Sequence, residues 1–199
     1  MDILTEIMLK HGSDKAPEPP YGHHYTPHYH KWFEPLRNEN IVLLEVGVGG
    51  ENTELGGKSL LGWREYFPYG KIYGIDIYDK RALDGERLKT FMGSQDDARF
   101  LTSVINEIGI PDIIIDDASH INKLTIKTFE ILFPKLKKGG IYVIEDLECA
   151  YRWDFGGSTK INEFEKETIM NYLLKMSHHL NSIHLGDPYY SKPELYRDI

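Results

Sequence analysis

Two acidic clusters, each directly after a short apolar run, constrain the fold of this chain more than any other feature. The first run, residues 111–115, leads into Asp116-Asp117-Ala118-Ser119-His120, and the second, residues 140–144, leads into Glu145-Asp146. A helical pattern separates the two runs, which is the order of a βαβ unit with two parallel strands. Because neighbouring strands lie about 4.8 Å apart and end at the same sheet edge, we expect the two clusters to converge there.

The converging side chains predict a metal site. Three carboxylates at one edge repel one another unless a positive group lies among them, and a hard cation such as Mg²⁺ or Mn²⁺ meets that need. We predict Asp117, Glu145 and Asp146 as its ligands, with His120 beside them as a candidate base. Two plainer interpretations remain open, in which Asp117 only caps the next helix and His120 is a polar residue at the helix start.

The rest of the chain alternates strand-like and helical patterns. We predict strands at residues 41–48, 71–78, 88–93, 111–116 and 140–146, and helices at 2–10, 27–37, 59–67, 96–109, 121–137 and 161–180. The strands are rich in Ile, Val, Leu and Tyr and mostly lack polar alternation, which indicates burial on both faces. The predicted fold is therefore α/β, a doubly wound and mostly parallel sheet. For residues 79–87 the sequence pattern does not distinguish a helix from a loop.

Length and composition limit the organisation and the partners. The 199 residues suffice for one folding unit at residues 41–199, with residues 1–40 as a helical and loop cap over its cleft. A formal charge of −8 argues against a nucleic-acid partner. We expect neither a membrane span nor a signal peptide, because the apolar runs are short. Cys149 is the only cysteine, so we expect no disulfide and a cytoplasmic location.

A glycine-rich loop ends the first strand. Gly47 and Gly49 follow Glu45 and let a ligand approach the backbone. A dinucleotide fold would run from such a loop directly into a helix whose N-terminus holds a pyrophosphate, but here the next helix starts only near Ser59. A carboxylate at Glu45 opposes pyrophosphate and suits a ligand with an ammonium group and a sulfonium centre, which indicates S-adenosylmethionine.

Further candidates for cofactor binding end the second and third strands. Asp76 can accept hydrogen bonds from both ribose hydroxyls, a role that fits nucleotides and S-adenosylmethionine alike. After the third strand, Ser94, Gln95 and Asp96 can recognise the amino edge of adenine. The alternative is that Ser94 or Asp96 only caps the following helix.

The ordered set of motifs resembles the metal-dependent sugar O-methyltransferases of macrolide biosynthesis, the macrocin and mycinamicin type. The resemblance runs from about residue 11 to residue 157, and its motifs are residues 12–15, 24–29, 44–50, 57–60, 73–76, 115–120 and 142–147. It implies a Rossmann-like class I fold and transfer of a methyl group from S-adenosylmethionine to a hydroxyl of a sugar or sugar-like small molecule.

The resemblance also implies roles for individual residues. It assigns Mg²⁺ to Asp117, Glu145 and Asp146 and the proposed base to His120, and its motifs add Ser59 and Asp116 to the cofactor-binding candidates. Ala118 replaces the more usual glycine of this motif. The antiparallel hairpin that usually closes such a sheet is expected to be missing, because residues 182–185 are the one candidate for it.

Several alternatives stay open. The histidines at 23, 24, 28 and 30 suggest zinc, but without a cysteine pair we favour a segment that lines the cleft through Tyr25 and Thr26. Residues 151–153 are predicted either to line the binding site of the acceptor or to form a subunit contact, so the chain could form a homo-oligomer. The alternative functions are a nucleotide-dependent dehydrogenase or epimerase and a non-catalytic subunit that binds S-adenosylmethionine.

Overall fold

A computed structural model describes residues 1–17, 22–50, 54–160 and 167–181 of the chain. Its centre is a five-stranded, all-parallel sheet with the strand order β3-β2-β1-β4-β5. The strands are β1 Val42–Val46, β2 Lys71–Asp76, β3 Leu88–Met92, β4 Ile113–Asp116 and β5 Ile141–Ile144. The order reverses beside β1, so this is a doubly wound sheet, and the predicted fold class is confirmed.

Six α-helices lie in the described part of the chain. They are α1 Ile3–His11, α2 Thr26–Phe33, α3 Lys58–Tyr66, α4 Ala98–Ile108, α5 Asn122–Leu132 and α6 Ile169–Leu180. Short 3₁₀ segments lie at Glu34–Leu36, Arg81–Leu83, Phe133–Lys135, Leu147–Tyr151 and Trp153–Phe155. None of the helices in this part is long and apolar enough to cross a bilayer.

The strands lack polar alternation because both sheet faces are covered. Leu43 of β1 packs on one face in a core with Trp63 of α3 and residues of α1 and α2. Leu44 packs on the other face with Leu101 of α4 and Leu132 of α5. Apolar residues are therefore needed at successive positions, and burial of these side chains is the main stabilising contribution.

The observed boundaries correct several predicted ones. Strand β1 ends at Val46 because Gly47 leaves extended geometry with a φ of 95°. The predicted helix 121–137 ends at Leu132 and continues as a 3₁₀ segment containing a proline. Helix α4 is capped by Asp97, which accepts from two backbone amides, and not by Ser94 or Asp96. The residues considered for a closing hairpin, 182–185, lie outside the described part.

Candidate active site

The register of the sheet brings the two acidic clusters together. Val46 pairs with Asp116, and Asp116 pairs with Ile144 on the neighbouring strand. The amide of Asp117 donates to the carbonyl of Val46 at 2.8 Å, and that of Glu145 donates to the carbonyl of Asp116 at 3.0 Å. The residues that follow β4 and β5 therefore begin at one level of the sheet edge.

A cavity of about 280 Å³ opens where the strand order reverses. Five of the residues predicted to bind a cofactor line it, namely Gly47, Gly49, Asp76, Ser94 and Gln95. Asp76 accepts from the Val48 amide at 2.9 Å and from the Tyr78 amide at 2.8 Å, so its carboxylate is held at the rim. The side chain of Gln95 already donates to Thr128 and accepts from the Ser119 amide.

A second cavity of about 350 Å³ adjoins the first. Gly49, Asp117 and Ala118 line both cavities, and Ser59, His120 and Asp146 line the second one. Gly47 is needed where the loops after β1 and β4 cross, because a Cβ atom there would lie 2.1 Å from the Asp117 carbonyl oxygen. The site therefore consists of two adjacent cavities that share the Asp117 loop.

One group of potential metal ligands exists in the described part of the chain, and it differs from the predicted one. Asp117, His120 and Asp146 each offer one ligand atom, and these atoms lie within 4.8 Å of one another. His120 Nε2 lies 3.9 Å from Asp117 Oδ1 and 3.5 Å from Asp146 Oδ2. Both His120 and Asp146 have a positive φ. This backbone conformation is costly for residues other than glycine, and it occurs often at functional sites.

Glu145 faces a buried lysine that the sequence patterns miss. Its Oε1 accepts from Lys15 Nζ at 2.8 Å and from the Tyr29 hydroxyl at 2.5 Å. Lys15 Nζ also contacts Asp117 Oδ2 and lies 3.4 Å from Glu45 Oε1. An ammonium group therefore lies where the three-carboxylate prediction puts a metal. The motif at residues 12–15 was the only sequence feature that pointed to Lys15. It did not predict that this lysine is buried, because its burial depends on the fold.

Glu45 needs a correction. The sequence predicts that it faces the ligand, whereas the structure buries it completely, and it lines neither cavity. Ser59 Oγ donates to its Oε1 at 2.8 Å and Trp63 Nε1 donates to its Oε2 at 2.7 Å. Donors from α3 and the nearby Lys15 thus hold this carboxylate in the core, because an unpaired charge there would be costly.

Four other predicted cofactor residues also line neither cavity. Thr26 is fully buried and hydrogen-bonds to the Thr5 hydroxyl at 2.7 Å. Asp96 accepts from Ser94 Oγ at 2.6 Å, and Asp116 is buried in the sheet. Tyr25 donates to Asp146 Oδ1 at 2.6 Å and so fixes a carboxylate of the candidate metal group. Direct contact with a cofactor is thus not supported for these four.

The electrostatics of the site indicate a shortage of positive charge. Burial alone would lower the pKa of Lys15, but the carboxylates of Glu45, Glu145 and Asp117 raise it well above its usual value, so the ammonium stays charged. Burial raises the pKa of Glu145 to about 8 although Lys15 acts in the opposite direction. One ammonium does not neutralise this many carboxylates, and a divalent cation beside them would stabilise their ionised forms.

Asp116 is expected to make stability depend on pH. Burial raises its pKa to about 7, and its Oδ2 has no hydrogen-bond partner among the described residues. The native state therefore keeps a proton on Asp116 that an unfolded aspartate loses near pH 4. Because the native state binds more protons in this range, the free energy of unfolding falls as the pH rises from about 4 to about 7. Asp116→Asn should stabilise the chain at pH 8 by up to about 4 kcal/mol and leave it unchanged below pH 4.

Thermal unfolding of the variant and the wild type at both pH values measures this difference. Asp97→Asn is the matched control, because Asp97 is exposed at the start of α4 and asparagine caps helices equally well. Equal midpoints of the wild type and Asp116→Asn at pH 8 would show that the buried carboxylate imposes no penalty.

The residues around the cavities bear on two alternatives, a zinc site at the histidines of residues 23–30 and the role of residues 151–153. The histidines at 23, 24, 28 and 30 form no group of three potential ligands within the described residues, which leaves zinc unsupported. After β5, Arg152 stacks on Phe155 at 4.6 Å, and Phe155 lies 6.3 Å from the His120 ring. Trp153 is 83% exposed beside them. This aromatic loop is compatible with both roles, lining the binding site of the acceptor or forming a subunit contact.

A doubly wound parallel sheet with a glycine loop, an acid at the end of β2 and a carboxylate–histidine group after β4 and β5 defines a Rossmann-like methyltransferase fold of class I. No protein-family model matches the chain. Over 142 residues, 71% of its length, the chain is 46% identical to mycinamicin VI 2''-O-methyltransferase of Micromonospora griseorubida. Over 138 residues, 69% of its length, it is 46% identical to demethylmacrocin O-methyltransferase of Streptomyces fradiae.

A solved structure agrees with these relatives. The chain superimposes with a TM-score of 0.90 and 38% identity on the MycE methyltransferase of the mycinamycin biosynthetic pathway, determined in complex with Mg and SAH. The match covers 98% of this chain and 50% of that one, and the chain spans 36% and 35% of the two relatives. The resemblance to the macrocin and mycinamicin type of sugar O-methyltransferase is thereby confirmed.

Proposed function

We propose that this chain forms the cofactor-binding and metal-binding part of an S-adenosylmethionine-dependent O-methyltransferase that acts on a hydroxyl of a sugar or sugar-like small molecule. The observation that carries the proposal is the cavity lined by Gly47, Gly49 and Asp76 that adjoins the group of Asp117, His120 and Asp146. Relatives named as O-methyltransferases and a similar fold solved with Mg and SAH support it.

The first cavity suits the cofactor. Asp76 offers carboxylate oxygens at the position where a ribose would present two hydroxyls. The backbone at Gly47 and Gly49 leaves room for the methionine portion next to the Asp117 loop. The methyl group would then point toward the second cavity, where the acceptor hydroxyl would lie.

The donor set of Asp117, His120 and Asp146 suits a hard or borderline divalent cation. When bound there, Mg²⁺ or Mn²⁺ would lower the pKa of the acceptor hydroxyl and hold its oxygen in place. With the ion held by the carboxylates of Asp117 and Asp146, an uncoordinated His120 Nε2 would accept the hydroxyl proton as the oxygen attacks the methyl carbon, and the sulfonium sulfur would leave as the thioether of S-adenosylhomocysteine. Tyr25 keeps Asp146 oriented. Positioning of the reactants would supply most of the rate enhancement.

The segment of residues 1–40 would act as a cap on the catalytic unit of residues 41–199. It supplies Lys15, Tyr25 and Tyr29, all of which contact carboxylates that follow β4 and β5. We also propose a cytoplasmic enzyme with no nucleic-acid or membrane partner. The acidic composition and the single cysteine support that location.

S-adenosylhomocysteine at about 100 times its dissociation constant should raise the thermal midpoint by roughly 5 to 10 °C, because a ligand that binds only the native state stabilises it. Asp76→Ala should remove most of that increase, since the ribose would lose its acceptor. Differential scanning fluorimetry with and without the ligand measures both shifts.

Asp79→Ala is the control for this experiment, because Asp79 is exposed and pairs with Arg81 outside the cavity. It should keep the wild-type shift. A chain that NAD stabilises while S-adenosylhomocysteine has no effect would instead support the dehydrogenase or epimerase alternative.

A further inference from the structure

The turn of residues 117–120 lies between β4 and α5 and carries two potential metal ligands, Asp117 and His120. The Asp117 amide holds the start of the turn, because it donates to the carbonyl of Val46 at 2.8 Å. At the other end His120 has a φ of 55°, and a residue with a side chain keeps such a conformation only where surrounding groups hold its backbone. The middle of the turn therefore needs an anchor of its own.

A glutamine from the loop after β3 provides this anchor. Gln95 Oε1 accepts from the Ser119 amide at 3.1 Å, a contact between residues 24 positions apart in the sequence. Two other side-chain contacts with amides of this region, those of Ala118 and Ile121, are longer at 3.4 Å each. Gln95 thus makes the shortest of these three contacts, and it does so from another strand end.

A second hydrogen bond fixes the orientation of the Gln95 side chain. Its Nε2 donates to Thr128 Oγ1 of α5 at 3.0 Å. Because a backbone amide can only donate, Oε1 must face Ser119 and the amino group must face Thr128. Gln95 is 8% exposed and Thr128 is fully buried, so an unpaired amide group there would be costly. Thr128 therefore keeps Gln95 in the orientation that reaches the turn.

Gln95 and Thr128 act on the second cavity from outside it. Gln95 lines the first cavity and not the second, and Thr128 lines neither. Neither residue belongs to the group of potential metal ligands in the described part of the chain. An effect of either side chain on an ion bound by Asp117 must therefore pass through the turn.

We propose that Gln95 is a positioning residue that holds the turn of residues 117–120 through the Ser119 amide, and so fixes the two side chains that this turn presents to the second cavity. Thr128 supports Gln95 by orienting its amide group. The bound ion rests on the proposed function, whereas the hydrogen bonds from Gln95 are a feature of this chain by itself.

Mn²⁺ titration of the full chain, followed by electron paramagnetic resonance, tests the proposal. Thr128→Val removes the hydroxyl and keeps the shape of the side chain, so the Gln95 amide loses its partner. Mn²⁺ should then bind about three- to tenfold more weakly, the range expected for the loss of one hydrogen bond. Gln95→Met should weaken Mn²⁺ binding at least as much, because it removes the contact with the turn itself.

Controls separate positioning from packing. Loss of packing alone would lower the thermal midpoint and leave the Mn²⁺ affinity of the folded chain unchanged. Thr128→Ser keeps the hydroxyl and should recover the wild-type affinity. Thr102→Val is the matched control, because Thr102 of α4 donates to the carbonyl four positions before it, as Thr128 can, and lines neither cavity.

Amide hydrogen exchange of Ser119, measured by nuclear magnetic resonance in the metal-free chain, gives a second and independent readout. Exchange should be faster in Thr128→Val and in Gln95→Met than in the wild type, because the amide loses its acceptor. The Thr102→Val control should exchange at the wild-type rate.

Equal Mn²⁺ affinity of the wild type, Thr128→Val and Gln95→Met would overturn the proposal and leave the proposed function intact. Unchanged exchange of Ser119 in both variants would overturn it as well. If Gln95→Met does not fold, Thr128→Val decides. A wild-type chain that binds no Mn²⁺ would contradict the metal part of the proposed function, and the exchange rate of Ser119 would then support or refute the positioning role.

Discussion

Asp117→Asn is expected to lower kcat for methyl transfer by at least about 10³-fold, because a ligand that neutralises a divalent cation contributes several kcal/mol to catalysis. The effect should exceed that of any other single substitution at the site, since Asp117 is a potential metal ligand and also contacts Lys15 directly. The measurement is the rate of S-adenosylhomocysteine formation with a hydroxylated acceptor found by screening sugars, nucleotide sugars and glycosylated metabolites.

Chelation tests the same site without a substitution. Removal of divalent ions should abolish transfer by the wild type, and Mg²⁺ or Mn²⁺ should restore it, while Asp117→Asn should resist rescue. Glu148→Gln is the control, because Glu148 is exposed two residues beyond Asp146 and is not among the potential metal ligands. Undiminished transfer in excess chelator, with native-like kinetics of Asp117→Asn, would exclude a catalytic metal.

His120→Ala is expected to lower kcat by about 10²- to 10⁴-fold, the usual contribution of a general base. Its Nε2 faces the oxygens of Asp117 and Asp146 at the second cavity, so it can reach a hydroxyl held there. Affinity for S-adenosylhomocysteine should stay nearly unchanged, because His120 does not line the first cavity. Steady-state kinetics and a binding titration separate the two quantities.

The same variant distinguishes a base from a metal ligand. If His120 mainly coordinates the ion, its loss should weaken Mn²⁺ binding and excess metal should recover the rate, whereas loss of a base is not recovered in this way. His28→Ala is the control, since His28 is exposed on α2. A His120→Ala variant that keeps more than about a third of the wild-type rate would lie far outside the range for a base.

Local patterns were sufficient for the fold and for the location of the site. Residues 113–115 are buried and residues 141–144 are partly buried, and both runs are hydrophobic without polar alternation, so their acidic successors were expected to emerge at one edge. The closely spaced glycines at 47 and 49 and the acid at 76 also predicted the location of the site. A strand end and a close approach of a ligand to the backbone can both be recognised from residues that are neighbours in the sequence. Gly47, Gly49, Asp76, Asp117 and Asp146 line the cavities at the predicted edge.

Side-chain partners depended on contacts distant in sequence. Glu45 and Glu145 look like ligand-facing carboxylates from their positions, but Lys15 of the segment after α1 reaches both, and Trp63 of α3 donates to Glu45. His120 was predicted beside the metal site, yet its backbone turn places it among the potential ligands.

The sequence by itself therefore determined a doubly wound parallel sheet with acidic residues, a histidine and a glycine loop at one edge, because strand period and burial act through neighbouring residues. Only the tertiary structure decided which carboxylates face the cavities and which face Lys15. That choice depends on a contact between residues 15 and 117, which are 102 positions apart. It is set by the cost of burying a charge without a partner, a property of the packed chain that no local pattern contains.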